Sequence, residues 1–319
     1  MAIETAGSLP EDLRHEAFPY AGTADLIDRL APFLREGIRA GEPALVVVSS
    51  QKIELLREAL PDATDDQIRY ADMNEVGRNP ARIIPAWRRF VDGLGAGVSC
   101  RGVGEPIWAG RTADELIECE RHEALLNLAL SDAALWLVCP YDTSSVSQAV
   151  IDEASRTHPL VWTRDGHHRT AGYPGRESIA LPFARSLPEP VGPVREMVFG
   201  AHEVARVRSF VGAYSAEAGL DPGRAYDLVL AASEVATNSV RHGGGHGLVR
   251  VWRDGESLAC EVRDAGRFDR PLAGRERPTT EQTSGFGLWL ANQVCDLVQI
   301  RSFESGSVVR LLMSLRQPA

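Results

Sequence analysis

Apolar and polar positions alternate along the first half of the chain in blocks that switch between two periods. "TADLIDRLAPFLREGIRAGE" places Leu26, Leu30, Phe33, Leu34 and Ile38 at helical spacing, and "PALVVVSS" (Pro43 to Ser50) follows as a short apolar run suited to a buried strand. "QKIELLREAL" predicts an amphipathic helix, "QIRYADM" a strand, and "NPARIIPAWRRFVDGL" a helix with Pro80 near its start. "TADELIECERHEALLNLAL" predicts a long helix opened by a Thr112–Glu115 capping box. "AALWLVCPYD" predicts a strand and "SSVSQAVIDEAS" another helix. This alternation predicts a parallel or mostly parallel sheet covered by helices.

Residues 159–193 change character. They are rich in Pro, Gly and polar residues with little periodicity, which predicts a linker between a first domain (10–158) and a second (194–319). The second domain reads as helix (201–218), helix (223–241), strand (248–253), strand (257–263), a loop, helix (287–295), strand (297–302) and strand (307–315).

Composition narrows the class. The chain has 319 residues, 44% hydrophobic and 24% charged, with a formal net charge of -10. It has no basic block, which argues against nucleic acid or an anionic membrane as a partner. No apolar run reaches about 18 residues, so no membrane span is predicted. The first residues lack the basic-then-apolar form of a signal peptide. Five scattered cysteines without a C-x-x-C pair fit a reducing compartment, and the expected location is the cytoplasm.

The second helix of the second domain carries an unusual stripe. Asp221 and Pro222 supply a cap and a first-turn proline, and Gly243 to Gly245 end it. At about 100° per residue, Asp227, Glu234, Asn238 and Arg241 fall within roughly 60° of one another. Most of the remaining circumference is apolar. Taken alone, the helix reads equally as a solvated surface face or as one that holds a polar ligand. Three later segments favour the ligand. "CEVRDAGR" ends a strand at Asp264, where a carboxylate can accept from the exocyclic amine of a base, and Gly266 leaves room for a flat ring. About twenty polar, Gly/Pro-bearing residues between Asp264 and Ser284 suit a mobile lid. "SGFGLWLA" opens an apolar helix with two glycines, where free N–H groups suit phosphate. Ser307 stands at the head of the last strand.

In the order E-x-x-x-N, D-x-G, G-x-G-L and strand, residues 194–319 resemble the GHKL ATP-binding fold, and most closely its anti-sigma-factor serine kinase branch. "EVATNSVRHG" resembles that branch's N box, "DAG" its adenine-contacting box and "GFGLWL" its lid-closing glycine box. The resemblance implies a two-layer α/β sandwich with a mixed sheet and ATP between sheet and helices. It implies that Asn238 coordinates Mg²⁺, that Asp264 takes the adenine amine, and that Gly266, Gly285, Phe286, Gly287, Leu288 and Ser307 line the nucleotide. Glu234 matches the candidate general base. Arg241 and His242 stand where they would touch phosphate, cap the helix or face a partner. The implied function is an anti-sigma factor that holds a sigma factor and phosphorylates a serine of a STAS-type antagonist, with a homodimer as an option. Two alternatives stay open: an ATP-gated binding module without catalysis, and a histidine kinase using His202. His202 precedes a single helix rather than a dimerisation hairpin, and reads as a decoy.

The first domain resembles the MEDS sensory domain, a RecA-like or KaiC-like three-layer α/β fold without a nucleotide loop, through "HEAFPY", "FLREGIRAGEPALVVV", "GEPIWAGRT", "ERHEALLNLAL" and "CPYD". It implies response to a signal whose chemistry the resemblance does not name. No G-x-x-x-x-G-K-[ST] follows the first strand. His15, Glu120, His122, Cys139, Asp142 and His158 are metal-capable, but none has a metal-ligand spacing, so they read as core hydrogen bonds, caps and a buried thiol. Glu105, Trp108, Arg111, Glu120 and Asn127 read equally as a polar pocket or as braces of the sheet. His167 and His168 read as solvated.

Overall fold

In a computed structural model, residues 13–175, 185–278 and 285–316 are described. Contacts divide the chain into two compact units, Met1–Gly77 with Ala86–Ser178, and Arg78–Pro85 with Ile179–Ala319.

The first unit carries β1 (Arg14–Tyr20), α1 (Gly22–Ala40), β2 (Ala44–Val48), α2 (Ser50–Ala59), β3 (Ile68–Asp72), α3 (Met73–Val76), α4 (Ile83–Leu94, its first residues grouped with the second unit), β4 (Cys100–Gly104), α5 (Ala113–Ala129), β5 (Leu135–Asp142), α6 (Gln148–Thr157), β6 (Leu160–Thr163) and β7 (Gly166–Arg169). Its sheet runs β3-β2-β4-β5-β1-β6-β7; every pairing is parallel except the β6–β7 hairpin. Phe18, Tyr20, Val46, Val48, Val103 and Val138 pack with Leu26, Leu30, Phe33 and Leu34 of α1 and Leu56 of α2. Because strand side chains alternate, the intervening positions face the other way. There Trp87 of α4 lies on Gly102 and Gly104, where a Cβ would meet its ring at 2.9 Å. Helices on both faces make the three layers the alternation predicts. The Thr112 capping box forms with both bonds, Thr112 N–H to Glu115 Oε2 (2.8 Å) and Glu115 N–H to Thr112 Oγ1 (3.3 Å).

β1, β4 and β8 were not predicted as strands. "CRGVG" has too little apolar pattern to read as a strand, and the contact with Trp87 is what requires its glycines. β6 and β7 fall inside the expected linker. These two four-residue strands are too short to show a period. They are held by packing: His167 stacks on Trp162 with centroids 5.1 Å apart, and its Nδ1 bonds Glu16 Oε2 at 2.8 Å. His167 is therefore stacked and paired while remaining exposed, and His168 is exposed as expected. Burial works against the Glu16 carboxylate, but His167 and Arg14 outweigh it and hold its pKa below the ordinary value.

The second unit carries β8 (Arg195–Gly200), α7 (Val204–Glu217), α8 (Pro222–His242), β9 (His246–Asp254), β10 (Ser257–Asp264), α9 (Phe286–Val294), β11 (Leu297–Phe303) and β12 (Gly306–Ser314). Its sheet runs β11-β12-β10-β9-β8. The expectation of a mixed sheet is corrected: among the described residues every pairing here is antiparallel. The reason is local. β9–β10 and β11–β12 are hairpins with two-residue connections at most, which can only join antiparallel strands. The α7, α8 and α9 helices cover one face over Val207, Val211, Leu228, Val235, Ala291 and the inward strand residues.

The opposite face is charged and in register. Arg250, Glu261, Arg310 and Gln299 pair in turn across β9, β10, β12 and β11. Glu261 is fully buried. Its Oε2 accepts from Arg310 Nε (2.9 Å) and Nη2 (2.7 Å), its Oε1 from Arg263 Nε (2.7 Å) and Arg250 Nη1 (3.1 Å). The end of the expected linker straps this face: Arg310 donates to Pro188 O, and Glu189 bonds Arg250 and Arg263. Glu261→Ala strands the buried Arg310 guanidinium, so it should lower stability by about 3–5 kcal/mol in urea melts. Glu256→Ala, on an exposed pair with Arg316, should change stability by well under about 1 kcal/mol.

Candidate functional site

The candidate site forms where the end of α8 meets the ends of β10 and β12. α8 begins at Asp221, whose side chain accepts from the N–H of Gly223 (2.9 Å) and Arg224 (3.2 Å). It buries Leu228, Ala231, Ala232, Val235 and Ala236 against the sheet. That leaves Glu234 and Asn238, one turn apart, half-buried on the same side. Among the described residues neither side chain makes a hydrogen bond to the protein. Gly287, in the first turn of α9, packs directly on them: a Cβ there would sit 2.8 Å from Glu234 Oε2 and 3.3 Å from Asn238 Nδ2.

Asp264 ends β10. Its Oδ1 accepts from Ser307 Oγ (2.8 Å) and from Gly266 N–H (2.8 Å), and its Oδ2 accepts from Ser239 Oγ (2.5 Å). Ser307 is its register partner on β12. A carboxylate offers about four acceptor positions. Three are used, and one lone pair on Oδ2 remains for an amine donor. Glycines let the backbones come this close. A Cβ on Gly243 would lie 2.4 Å from Asp264 Cγ, and one on Gly306 (φ 139°) 2.1 Å from Asp264 O.

The structure thus brings Glu234, Asn238 and Gly287 together, and Asp264, Gly266 and Ser307 together. Gly266 faces the end of α8, with Gly243 Cα and His242 O against the place of its missing side chain. Leu288 is buried in the core, whereas Gly285 and Phe286 are exposed at the helix start, Gly285 in the left-handed region (φ 103°). Arg241 and His242 are exposed. His202 is exposed in the turn between β8 and α7, preceded by a strand rather than a helix. Residues 279–284 of the expected lid lie outside the described residues. The part before them is packed, not free: Asn292 Nδ2 of α9 donates to Gly274 O at 2.9 Å, and the Phe268 N–H donates to Ser302 Oγ at 3.0 Å. Sequence reasoning missed Ser239 and Gly243. The only signal for Ser239 was a hydroxyl among apolar helix positions.

In the first domain, of the two readings of Glu105, Arg111 and Asn127, the polar pocket does not assemble. Glu105 accepts from Tyr20 OH (2.6 Å) and Lys52 Nζ (2.7 Å), with burial pushing its carboxyl up against the pull of Lys52. Arg111 donates to Pro106 O and Gly77 O and stacks on Trp108. Asn127 is elsewhere, donating to Thr157 O at 2.7 Å. These side chains brace separate parts of the domain. Of the metal-capable residues, His15, Cys139 and His158 converge, joined by Glu123, whereas Asp142 caps the turn at Ser144 and bonds Gly22 N–H. Among the described residues no helix is long and apolar enough to cross a membrane.

A helix-covered sheet with these motifs along α8, β10 and α9 defines a kinase-like ATPase domain of the GHKL sandwich type. Residues 200–313 match the family described as "Histidine kinase-like ATPase domain", and residues 14–159 match "MEDS: MEthanogen/methylotroph, DcmR Sensory domain". The chain therefore joins a MEDS domain to a histidine kinase-like ATPase domain, a domain class that binds ATP. No curated protein matches the sequence. Among solved structures, the RsbU and RsbW domains of Rv1364c from Mycobacterium tuberculosis are 22% identical with a TM-score of 0.32, over 40% of this chain and 34% of that one. The Acinetobacter baumannii histidine kinase AdeS is 13% identical with a TM-score of 0.23, over 39% of this chain and 68% of that one.

Gly306→Ala should cost roughly 1–3 kcal/mol from the left-handed backbone alone, and more from the contact with Asp264 O. Ser239→Ala, which removes one hydrogen bond, should cost about 1 kcal/mol. Urea melts of the two variants check that order.

Proposed function

We propose that the second domain is a protein serine kinase of the anti-sigma type. It would hold a sigma factor and transfer phosphate from Mg-ATP to a serine of a STAS-type antagonist, under control of the first domain. The observation that carries the reading is the packing of Gly287 against Glu234 and Asn238, two half-buried polar side chains that make no hydrogen bond among the described residues.

The residues fit the nucleotide. Asp264, oriented by Ser239, Ser307 and Gly266, has a lone pair for the adenine amine. Asn238 offers a neutral oxygen to the cation. The start of α9, at Gly285, Phe286 and Gly287, offers the N–H groups of a helix N-terminus, which suit phosphate, and the absence of a side chain at 287 lets this turn pack on Glu234 and Asn238. When bound, Mg-ATP supplies the phosphoryl group, with its charge partly neutralised by the ion. Glu234 would orient the attacking serine hydroxyl and accept its proton, a contribution of about 10²–10⁴-fold. The phosphoserine gains close to two negative charges, enough to expel the antagonist from a surface that fits its neutral form.

Calorimetry on the full chain tests the site. Wild type should bind ATP only with Mg²⁺, and Asn238→Ala and Asp264→Ala should abolish binding. Glu234→Gln should keep binding and lose at least about 100-fold in phosphoserine formation on an added antagonist. Binding with no transfer in wild type would leave an ATP-gated binding module. Acid-labile phosphate on His202 would make the protein a histidine kinase instead.

A further inference from the structure

The first domain encloses a polar cluster that the nucleotide site does not use. His15 begins β1, Cys139 lies on the adjacent β5, Glu123 faces them from α5, and His158 follows α6. All four are at most 1% exposed. Their donor atoms lie within 4.8 Å of one another. Glu123 Oε2 is 3.2 Å from His15 Nε2, 3.3 Å from His158 Nε2 and 3.4 Å from Cys139 Sγ; His15 Nε2 is 3.3 Å from the same sulfur. Ligands at metal distances of about 2.0–2.3 Å in a tetrahedron stand about 3.3–3.7 Å apart, so these four spacings match a coordination shell, and the remaining pairs lie within 4.8 Å.

The second ring nitrogens have partners outside the cluster. His15 Nδ1–H donates to Asn127 Oδ1 at 3.0 Å. The amide of Asn127 is itself oriented, because its Nδ2 donates to Thr157 O at 2.7 Å. His158 Nδ1 lies 2.9 Å from Ala154 O and 2.9 Å from Thr157 Oγ1, a hydroxyl that itself reaches Ala154 O at 3.3 Å. With the proton on Nδ1, as these carbonyl acceptors favour, each imidazole turns an Nε2 lone pair into the cluster. This is the outer-shell arrangement that orients metal-bound histidines. The interior then holds two nitrogen lone pairs, a carboxylate and a sulfur, with one S–H proton among them. Hydrogen bonds satisfy this set only in part: among the described residues Glu123 Oε1 has no hydrogen-bond partner, and His158 Nε2 has only the 3.3 Å contact with Glu123 Oε2. A buried surplus of acceptors is costly, and a cation at its centre removes the cost.

We infer that His15, Glu123, Cys139 and His158 form a closed, four-coordinate site for a borderline-soft divalent metal ion, zinc being the best match to a mixed N, S and O donor set. Asn127 is a positioning residue that acts through His15. Binding replaces the thiol proton of Cys139 with the metal, so one proton leaves per ion and no electron moves. The four ligands come from β1, α5, β5 and the segment after α6, so occupancy ties together elements on one face of the sheet.

The test uses the full chain without an affinity tag, stripped with a chelator and titrated with Co²⁺, then Zn²⁺. The expected result is about one ion per chain, tetrahedral cobalt absorption in the visible, a thiolate-to-cobalt band in the near ultraviolet, release of about one proton, and displacement by zinc. Cys139→Ser should lose the thiolate band and bind at least tenfold more weakly. Asn127→Ala should keep the band and bind about 10–100-fold more weakly. Circular dichroism checks that each variant is folded. Octahedral cobalt absorption only, no uptake by the stripped wild type at micromolar metal, or a thiolate band that survives in folded Cys139→Ser would each overturn the inference. The wild-type titration decides the matter even if a variant fails to fold.

Discussion

The position of α8 on its sheet depends on one carboxylate. Asp264 closes β10, takes a hydroxyl from Ser239 on the helix and another from Ser307 on the neighbouring strand, and folds its own loop back through Gly266 N–H. Three backbones can approach that closely only because Gly243, Gly266 and Gly306 carry no side chain. The apolar core supplies the adhesion between helix and sheet, but it is tolerant of sliding. The charge-assisted bonds to Asp264 are short and directional, and they set the register that puts Glu234 and Asn238 opposite Gly287.

The two sheets meet the problem of their second face differently. In the first domain, helices cover both faces, and glycines at 102 and 104 admit a tryptophan from α4. In the second, helices cover one face and a charged row covers the other. Glu261 is buried under Arg310 and Trp252 is buried near it. Register makes this workable: each guanidinium stands opposite a carboxylate across the ladder, so cross-strand pairing supplies the partner that burial demands. The segment near Pro188 and Glu189 completes the acceptors.

Polar residues inside the first domain are divided by what satisfies them. Arg101 is buried with Glu42 and the carbonyl of Phe33, and Glu105 with Tyr20 and Lys52, so each has its counter-charge within the protein. The His15 cluster differs because its acceptors outnumber its donors. Its members lie 16 residues (Glu123 to Cys139) to 143 residues (His15 to His158) apart along the chain, which is why no ligand spacing marks them.

The sequence by itself determined the elements and their order wherever a helix or strand had a clear period. It also marked the polar line of α8, the Thr112 and Asp221 caps, and the residue types at Asp264, Gly287 and Ser307, since their chemistry is unusual for their place in the pattern. Periodicity reports which face of an element is buried, and buried apolar faces follow from solvent alone. Tertiary structure decided β4, β6 and β7, whose short or glycine-bearing sequences become strands through Trp87 and Trp162. It decided that among the described residues the second sheet is antiparallel throughout, that Ser239 holds Asp264, and that Glu123 joins the histidines. Those outcomes rest on contacts between distant segments. A hydrogen bond or a coordination shell is defined by angles and separations of a few ångströms, and no local pattern of polarity carries that information.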